Sequence, residues 1–232
     1  MTFLTYDELA GPALDPALWE PLSMGVPRLE EGAITTVSDG VVTVDVPEFT
    51  NADPANQSLD NTKHVLLSTR RFDLPADGPA RFRTEIAVDH IGGDSGDYRL
   101  GAAAFILVDT DGATAMVFDV LATADRVYAE HEVLPFPGVP HPFTRIVDNP
   151  IHPVAATGFR LCEVRIDRSS GRATWTVDGF TVLDLTGLAE LPESVHIGFG
   201  YVTLLPIGEG RSSAQGQGAR ASWRNFRYDV SN

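Results

Sequence analysis

The sequence predicts an all-β protein, a sandwich or barrel built as a single domain of 232 residues. Its apolar runs, about a dozen, are short and separated by turns rich in glycine and aspartate, and almost no segment has a helical period. The clearest example is the meander Gly101–Leu134, where Asp111 and Gly112 lie between two apolar runs. Asp-Gly is a strong hairpin signal there because glycine supplies the positive φ of a tight turn. We take this meander as the middle of the sandwich and the floor of its cleft.

Alternating hydrophobicity in the other runs predicts strands that bury one face. In the run Val41–Val46, for example, Val42, Val44 and Val46 share one face, and Thr43 lies on the other. The expected strands are Ala33–Val37, Val41–Val46, Val65–Phe72, Ala80–Ile91, Gly101–Asp109, Thr114–Leu121, Arg126–Leu134, Phe159–Asp167, Ala173–Val177, Phe180–Leu185, Val195–Leu205 and Ala219–Val230.

Two segments are expected to form no strands. Residues 1–32 carry few regular signals and are predicted to pack on the domain irregularly, with a helical turn that Asp15 caps and Trp19 against the end of the sandwich. The segment Pro135–Gly158 contains six prolines, and proline cannot donate to a β-ladder. We therefore predict a long, stiff loop whose apolar residues, Phe136 and Phe143 among them, pack down as a lid.

Charge and composition exclude several classes of function. A formal net charge of −15 repels nucleic acid and anionic membranes, so neither is an expected partner. The start of the chain lacks the features of a signal peptide, and no apolar run approaches the roughly 18 residues of a membrane span. We expect a cytoplasmic protein and leave open a homo-oligomer. The single cysteine, Cys162, shares a strand face with Val164 and Ile166, which predicts a buried, inert thiol.

The order of the closing strands resembles a known fold. A strand that carries Glu163 and Arg165 is followed by TWTVDG, then VHIGFGYVTLL, then a final strand with Trp223 and Phe226. From about Val41 onward this pattern resembles the concanavalin-A-like jelly roll of laminarinase-type glucanases and many lectins. The resemblance implies a jelly-roll β-sandwich.

Three further segments resemble a narrower family. LDNTKH, LPFPGVP and GQG are similar to a bacterial family of this fold that includes cyclases of polyketide macrolactones, which form rings by intramolecular (6+4) or (4+2), Diels–Alder-type, cycloaddition. The resemblance implies an apolar small-molecule substrate and a role in polyketide biosynthesis.

A cyclase of this kind needs an apolar pocket with a few polar groups, because a pericyclic reaction develops little charge. The predicted hydrogen-bonding and catalytic groups are His64, Asp60 and His131. The predicted substrate-binding residues are Met24, Met116, Phe118, Tyr128, Tyr201 and Thr203. For each of these side chains taken by itself, a place in the core is the simpler interpretation.

The alternative is a carbohydrate-binding or carbohydrate-cleaving protein of the same fold. Glycoside hydrolysis requires two carboxylates that flank the bond, and Asp119 has no glutamate at either flank. Glu130 and Glu132 could substitute as a pair, although two solvated carboxylates at a sheet edge are the simpler interpretation. Sugar binding would need an aromatic platform. The available aromatic residues are Trp19, Tyr98, Tyr128, Tyr201 and Trp223, and Trp223 and Trp175 alternate like core residues.

No cofactor or metal is predicted. The sequence has no glycine-rich phosphate loop after a strand, no zinc-ligand spacing and no Gly-x-Ser-x-Gly elbow. The six histidines are scattered, and Gly92–Asp97 lacks the alternating oxygen ligands of a calcium loop.

Overall fold

A computed structural model describes residues 2–23, 29–50, 63–91, 96–110, 114–136, 138–148, 158–203 and 218–230. Within these ranges the chain forms sixteen strands and no helix, which confirms the all-β prediction. In chain order the strands are β1 (Leu4–Asp7), β2 (Trp19–Pro21), β3 (Ile34–Ser38), β4 (Val41–Val46), β5 (Lys63–Ser68), β6 (Phe72–Asp73), β7 (Pro79–Ile91), β8 (Ala102–Val108), β9 (Met116–Ala122), β10 (Val127–Val133), β11 (Phe143–Asp148), β12 (Arg160–Asp167), β13 (Arg172–Val177), β14 (Phe180–Leu185), β15 (Ser194–Val202) and β16 (Ala219–Asp229).

The strands form two antiparallel sheets of eight strands each. The first sheet has the order β14-β13-β12-β7-β16-β4-β3, with β1 added to β16. The second has the order β11-β10-β9-β8-β15-β5-β2, with β6 added to β15. The central meander of the sequence, β8-β9-β10, therefore lies side by side within the second sheet, as predicted. None of the described residues forms a helix of the length and apolarity that a membrane crossing would require.

The main core lies between the two sheets. The side chains of Val42, Val44 and Val46 are fully buried there, as their alternation predicts. Trp223 on β16 crosses the interface, since its indole Nε1 donates to the Ala104 carbonyl oxygen of β8 at 3.0 Å. A buried indole that packs between the sheets and also satisfies its N–H links them by contact area and by one directional bond.

The N-terminal segment is more regular than expected. It contributes β1 to the first sheet and β2 to the second, which corrects the prediction of an irregular segment. The predicted turn at Asp15 is present, and the carboxylate of Asp15 accepts the Ala17 N–H at 2.8 Å. Trp19 is buried against Phe199 and Phe226, so it closes the sandwich end as predicted. Two short strands form because each adds backbone hydrogen bonds to a sheet that is already present.

The proline-rich segment also contains a strand, contrary to prediction. Residues 143–148 form β11, which pairs with β10 from Val133↔Phe143 to Tyr128↔Asp148. No proline falls between Pro142 and Pro150, so this stretch retains every N–H that the ladder needs. The part before it does pack down, because Phe136 and Val139 contact the apolar outer face of the second sheet. As a result β10 is an internal strand.

Cys162 on β12 is completely buried, as predicted, and burial raises the pKa of its thiol. Because only the thiolate is nucleophilic, we expect the native protein not to react with an aromatic disulfide reagent at pH 8. The same reagent should label one thiol per chain after denaturation in guanidinium chloride, measured by absorbance. Fast stoichiometric labelling of the native protein would contradict the placement of this side chain.

Candidate active site

A cleft opens on the outer face of the second sheet, the face turned away from the first sheet. It encloses about 150 Å³, and strands β5, β8, β9, β10 and β15 supply most of its walls. A cavity of that size accommodates a small hydrocarbon group the size of benzene. The described residues that line it are Leu22, Ser23, Lys63, Val65, Leu67, Ile106, Val108, Thr110, Val117, Asp119, Glu130, Glu132, Leu134, Phe136 and Val202. Nine of these fifteen side chains are aliphatic or aromatic, so most of the wall is apolar.

Three carboxyl groups meet on one side of this apolar cleft. Asp119 on β9 lies directly opposite Glu130 on β10 in the strand register, and both side chains are at least 95% buried. Directly opposed residues on one face of an antiparallel pair have Cβ atoms about 4.5–5.5 Å apart. Glu132 follows two residues along the same face of β10. We call Asp119, Glu130 and Glu132 the acid cluster.

The backbone pairing between β8 and β9 is incomplete next to the acid cluster. The pairing of β8 with β9 is interrupted at Ile106 and Leu107, opposite Asp119. The Leu107 backbone forms a hydrogen bond with the Asp119 carboxyl group instead. The carboxyl oxygen Asp119 Oδ1 is buried and has no hydrogen-bond partner in the part of the chain that the structure describes. Such an oxygen is costly to bury and is an available acceptor at the cleft wall.

The pKa of each carboxyl group in the acid cluster is raised above its ordinary value. Burial raises the pKa of Asp119 well above its ordinary value, and the negative charges of Glu130 and Glu132 raise it further. Burial, with a contribution from Glu132, raises the pKa of Glu130 to about 8. Burial also raises the pKa of Glu132, although its hydrogen bond from the Thr144 hydroxyl at 2.6 Å opposes that shift. The charge of Lys63 opposes all three shifts.

The simpler interpretation of Glu130 and Glu132, as solvated carboxylates at a sheet edge, is wrong. Because β11 pairs with β10, the two glutamates lie inside the sheet and against the cleft. The alternative that they act as a pair stays a prediction: both line the cleft, as their shared face predicts, and Asp119 faces Glu130 from β9. The sequence did contain a signal: acids two residues apart in an otherwise apolar strand share a face.

Several predicted site residues lie between the sheets and not in the cleft. Met116 and Phe118 belong to the main core, and His131 stacks on Phe118 with ring centroids 5.1 Å apart. Tyr201 is fully buried there and its hydroxyl donates to the Val44 carbonyl oxygen at 2.7 Å. Strands β9 and β15 carry apolar side chains on both faces, so for Met116, Phe118 and Tyr201 alternation alone could not indicate which face borders the cleft.

The remaining predicted residues have different positions. Burial lowers the pKa of His64 to about 4, and its Nδ1 accepts the Glu30 N–H at 3.2 Å. His64 lies between Lys63 and Val65, so alternation points it away from the cleft that both neighbours line. Thr203 is completely buried and is not a lining residue. Met24 and Asp60 lie outside the described residues.

Among the predicted site residues that the structure describes, Tyr128 lies on the same face of the second sheet as the cleft. It precedes Glu130 by two residues on β10 and belongs to the apolar cluster of the outer face. Its hydroxyl donates to the Gly96 carbonyl oxygen, and its ring meets Tyr98 edge-on. Burial raises the pKa of this phenol to about 12. Tyr128 therefore supports the cleft from one side without lining it.

No group of three or more His, Cys, Asp or Glu side chains converges in a metal-binding arrangement within the described ranges. The described lining of the cleft combines carboxyl groups with an apolar wall and one ammonium group, from Lys63. Protonated carboxyl groups can donate hydrogen bonds, and the ionised forms can accept protons or pair with cations.

The two-sheet architecture is a concanavalin-A-like jelly roll, and its similarities to solved structures lie among glycoside hydrolases of that fold. The catalytic domain of the endo-1,3-β-glucanase (laminarinase) from Thermotoga petrophila has a TM-score of 0.61 and 14% identity over 100% of this chain and 99% of that one. The endo-1,3-β-glucanase from Streptomyces sioyaensis has a TM-score of 0.63 and 13% identity over 98% and 94%. A β-1,3-1,4-glucanase (lichenase) from a mouse hindgut metagenome has a TM-score of 0.60 and 15% identity over the whole of both chains. At these identities the likeness shows the fold alone.

The chain belongs to a family of unknown function, DUF6081, whose model matches residues 13–232. No curated protein matches the sequence.

Proposed function

We propose that this protein is a cofactor-free enzyme that binds a hydrocarbon-rich small molecule in its cleft and promotes ring closure within it. The observation that carries the proposal is the predominantly apolar wall of the cleft, which places side chains such as Val65, Ile106 and Val117 around the guest. Small-molecule sites of this type use an apolar lining for affinity and a few polar groups for orientation. The acid cluster would provide the polar contacts.

The proposed reaction is an intramolecular cycloaddition in a polyene. Two σ-bonds form at the expense of π-bonds, and no atom is gained or lost, so the step needs no nucleophile, oxidant or leaving group. The protein contributes by holding a flexible chain in the reactive conformation, and such orientation can lower a barrier by several kcal/mol. The enclosed 150 Å³ would hold one segment of a larger guest, with the remainder at the cleft mouth.

Glycoside cleavage is the second candidate, and a specific observation favours it. Asp119 and Glu130 face each other across adjacent strands, and retaining glycosidases likewise use two neighbouring carboxyl groups, roughly 5–5.5 Å apart. The solved structures with this fold include glucanases. The aliphatic wall is the counter-argument, because a sugar presents hydroxyl groups that Val65, Leu67 and Ile106 cannot satisfy.

Thermal unfolding in the presence of candidate ligands separates these two functions. A ligand that binds only the folded protein raises the midpoint temperature by mass action. We expect a rise with polyene macrolactones and none with laminari- or mixed-linkage oligosaccharides. A bound polyene should then be converted to an isomer of unchanged mass, detected by chromatography and mass spectrometry.

A matched pair of variants locates the binding. Ile106→Ala removes a buried part of the cleft wall, whereas Ile34→Ala makes the same change at an exposed edge strand. We expect the first to weaken the response to the polyene about tenfold in apparent Kd and the second to leave it unchanged. A response to oligosaccharides alone, with release of reducing ends, would reject the cyclase proposal in favour of glycoside cleavage.

A further inference from the structure

The charges in the cleft do not balance. Asp119, Glu130 and Glu132 line it together with a single basic group among its described residues, Lys63. If every group were ionised, the site would hold two more negative charges than positive ones. Burying unbalanced charge is expensive, so a further cation in the cleft would stabilise the ionised carboxyl groups.

Asp119 supplies a second, independent observation. Its Oδ1 atom is buried and has no partner in the described part of the chain, while the residue as a whole is 4% exposed and lines the cleft. A buried acceptor without a donor costs roughly 1–3 kcal/mol. A donor delivered by a ligand would recover that free energy, and a positively charged donor would also correct the charge imbalance.

We propose that the ligand of this cleft carries a protonated amine on a hydrocarbon body, and that the amine binds between Asp119 and Glu130. This inference rests on the proposed function, since it specifies the polar group of the same apolar guest. An alkylammonium group offers up to three N–H donors to two facing carboxyl groups. Its hydrocarbon part would occupy the apolar volume beside Ile106 and Val117.

The surroundings of the pair determine how binding depends on pH. Lys63 faces the pair from β5, and Glu132 lies beside it on β10. Across β11 the neighbours are uncharged, since Ile146 is opposite Glu130 and Thr144 is opposite Glu132, and β8 contributes aliphatic side chains. An ammonium ion should therefore displace protons from the acid cluster when it binds. Affinity should rise with pH between about 6 and 9, in the range where Glu130 ionises.

The test compares three probes of equal length: n-octylamine, 1-octanol and octanoate. Their Kd values are measured by titration calorimetry at pH 6.0, 7.5 and 9.0, in buffers of different ionisation enthalpy, so that proton release is counted directly. We expect octylamine to bind at least tenfold more tightly than octanol at pH 9.0, with the preference shrinking towards pH 6.0. Octanoate should bind most weakly, and octylamine binding should release between zero and two protons, more at lower pH.

Single substitutions test whether the preference for octylamine comes from the acid cluster or from the overall negative charge of the protein. Asp119→Asn and Glu130→Gln should each reduce the preference for octylamine over octanol by about tenfold while octanol binding is retained. Glu193→Gln removes the same charge from a side chain that is 91% exposed. It should change neither the preference for octylamine nor the affinity for octanol. Retained octanol binding shows that each variant is folded and that its cleft is intact.

The outcomes separate the two proposals. Equal binding of octylamine and octanol would overturn the ammonium inference and leave the apolar-guest proposal standing. Failure of all three probes to bind would overturn both. Displacement of octylamine by calcium or magnesium at millimolar concentration, with tighter binding of the ion, would assign the acid cluster to a metal and also overturn the inference.

Discussion

Replacing Trp223 by alanine should lower the free energy of unfolding by about 3–5 kcal/mol, the usual cost of truncating a buried tryptophan. The side chain is completely buried and packs against Phe199 and Tyr201 on the opposite sheet, at centroid distances of 5.3 and 5.5 Å. Its loss would leave a cavity between the sheets and remove the bond to the Ala104 carbonyl oxygen. Equilibrium unfolding in urea, followed by circular dichroism, measures the change.

The variant Trp223→Phe separates packing from hydrogen bonding. It retains most of the aromatic contact but cannot donate to Ala104, so we expect a smaller loss of about 1–3 kcal/mol. A loss below about 1 kcal/mol for Trp223→Ala would mean that the indole does not link the two sheets in solution.

Replacing Glu130 by glutamine should stabilise the protein at alkaline pH and have little effect near pH 4.5. The pKa of this carboxyl group is about 8 in the folded protein, above its ordinary value of 4.5. Below pH 4.5 both the folded and unfolded states hold the proton, and the group adds no penalty. Between pH 4.5 and 8 the unfolded chain loses the proton first, so the folded state becomes relatively less stable as pH rises.

We expect Glu130→Gln to be more stabilising at pH 9 than at pH 4.5 by roughly 2–5 kcal/mol, since the pKa of Glu130 is raised from 4.5 to about 8 and one pKa unit corresponds to about 1.4 kcal/mol. Urea unfolding at pH 4.5, 7 and 9 gives the pH dependence. Glu193→Gln, at an exposed position, is the control and should show no such trend. A variant that is equally destabilised at all three pH values would show that Glu130 is ionised and paired in the folded state.

The fold was predictable because its signals are local. The alternation of Val42, Val44 and Val46 places one face of β4 in the core, and the observed burial follows it. The strands of the central meander likewise begin and end close to the predicted positions. The sequence did not reveal β1 and β2 in the N-terminal segment, which carries few regular signals. It also did not reveal β11, because the prolines on either side dominate the composition of that segment.

The site was harder to predict for a related reason. Every residue of β8 is buried, and β9 is nearly so, which means that both faces of the sheet carry apolar side chains. Alternation then identifies a strand but does not indicate which of its faces borders the cleft. For this reason Met116 and Phe118 were predicted to face the cleft, whereas they face the core. Asp119 was a single acid in an apolar run, and its partner Glu130 follows eleven residues later in the chain. Only the strand register brings the two together.

Strand β10 places the candidate chemistry and part of the core on opposite faces of one segment. Glu130 and Glu132 face the cleft, while Ala129 and His131 face the first sheet. If β10 slipped by one residue against β9, a carboxyl group would be inserted against Trp175 and the imidazole would move to the cleft. An insertion or deletion before β10 that shifts this register would therefore impair both folding and ligand recognition. We expect members of this family to differ by substitutions in the loop before β10 and not by changes in its length.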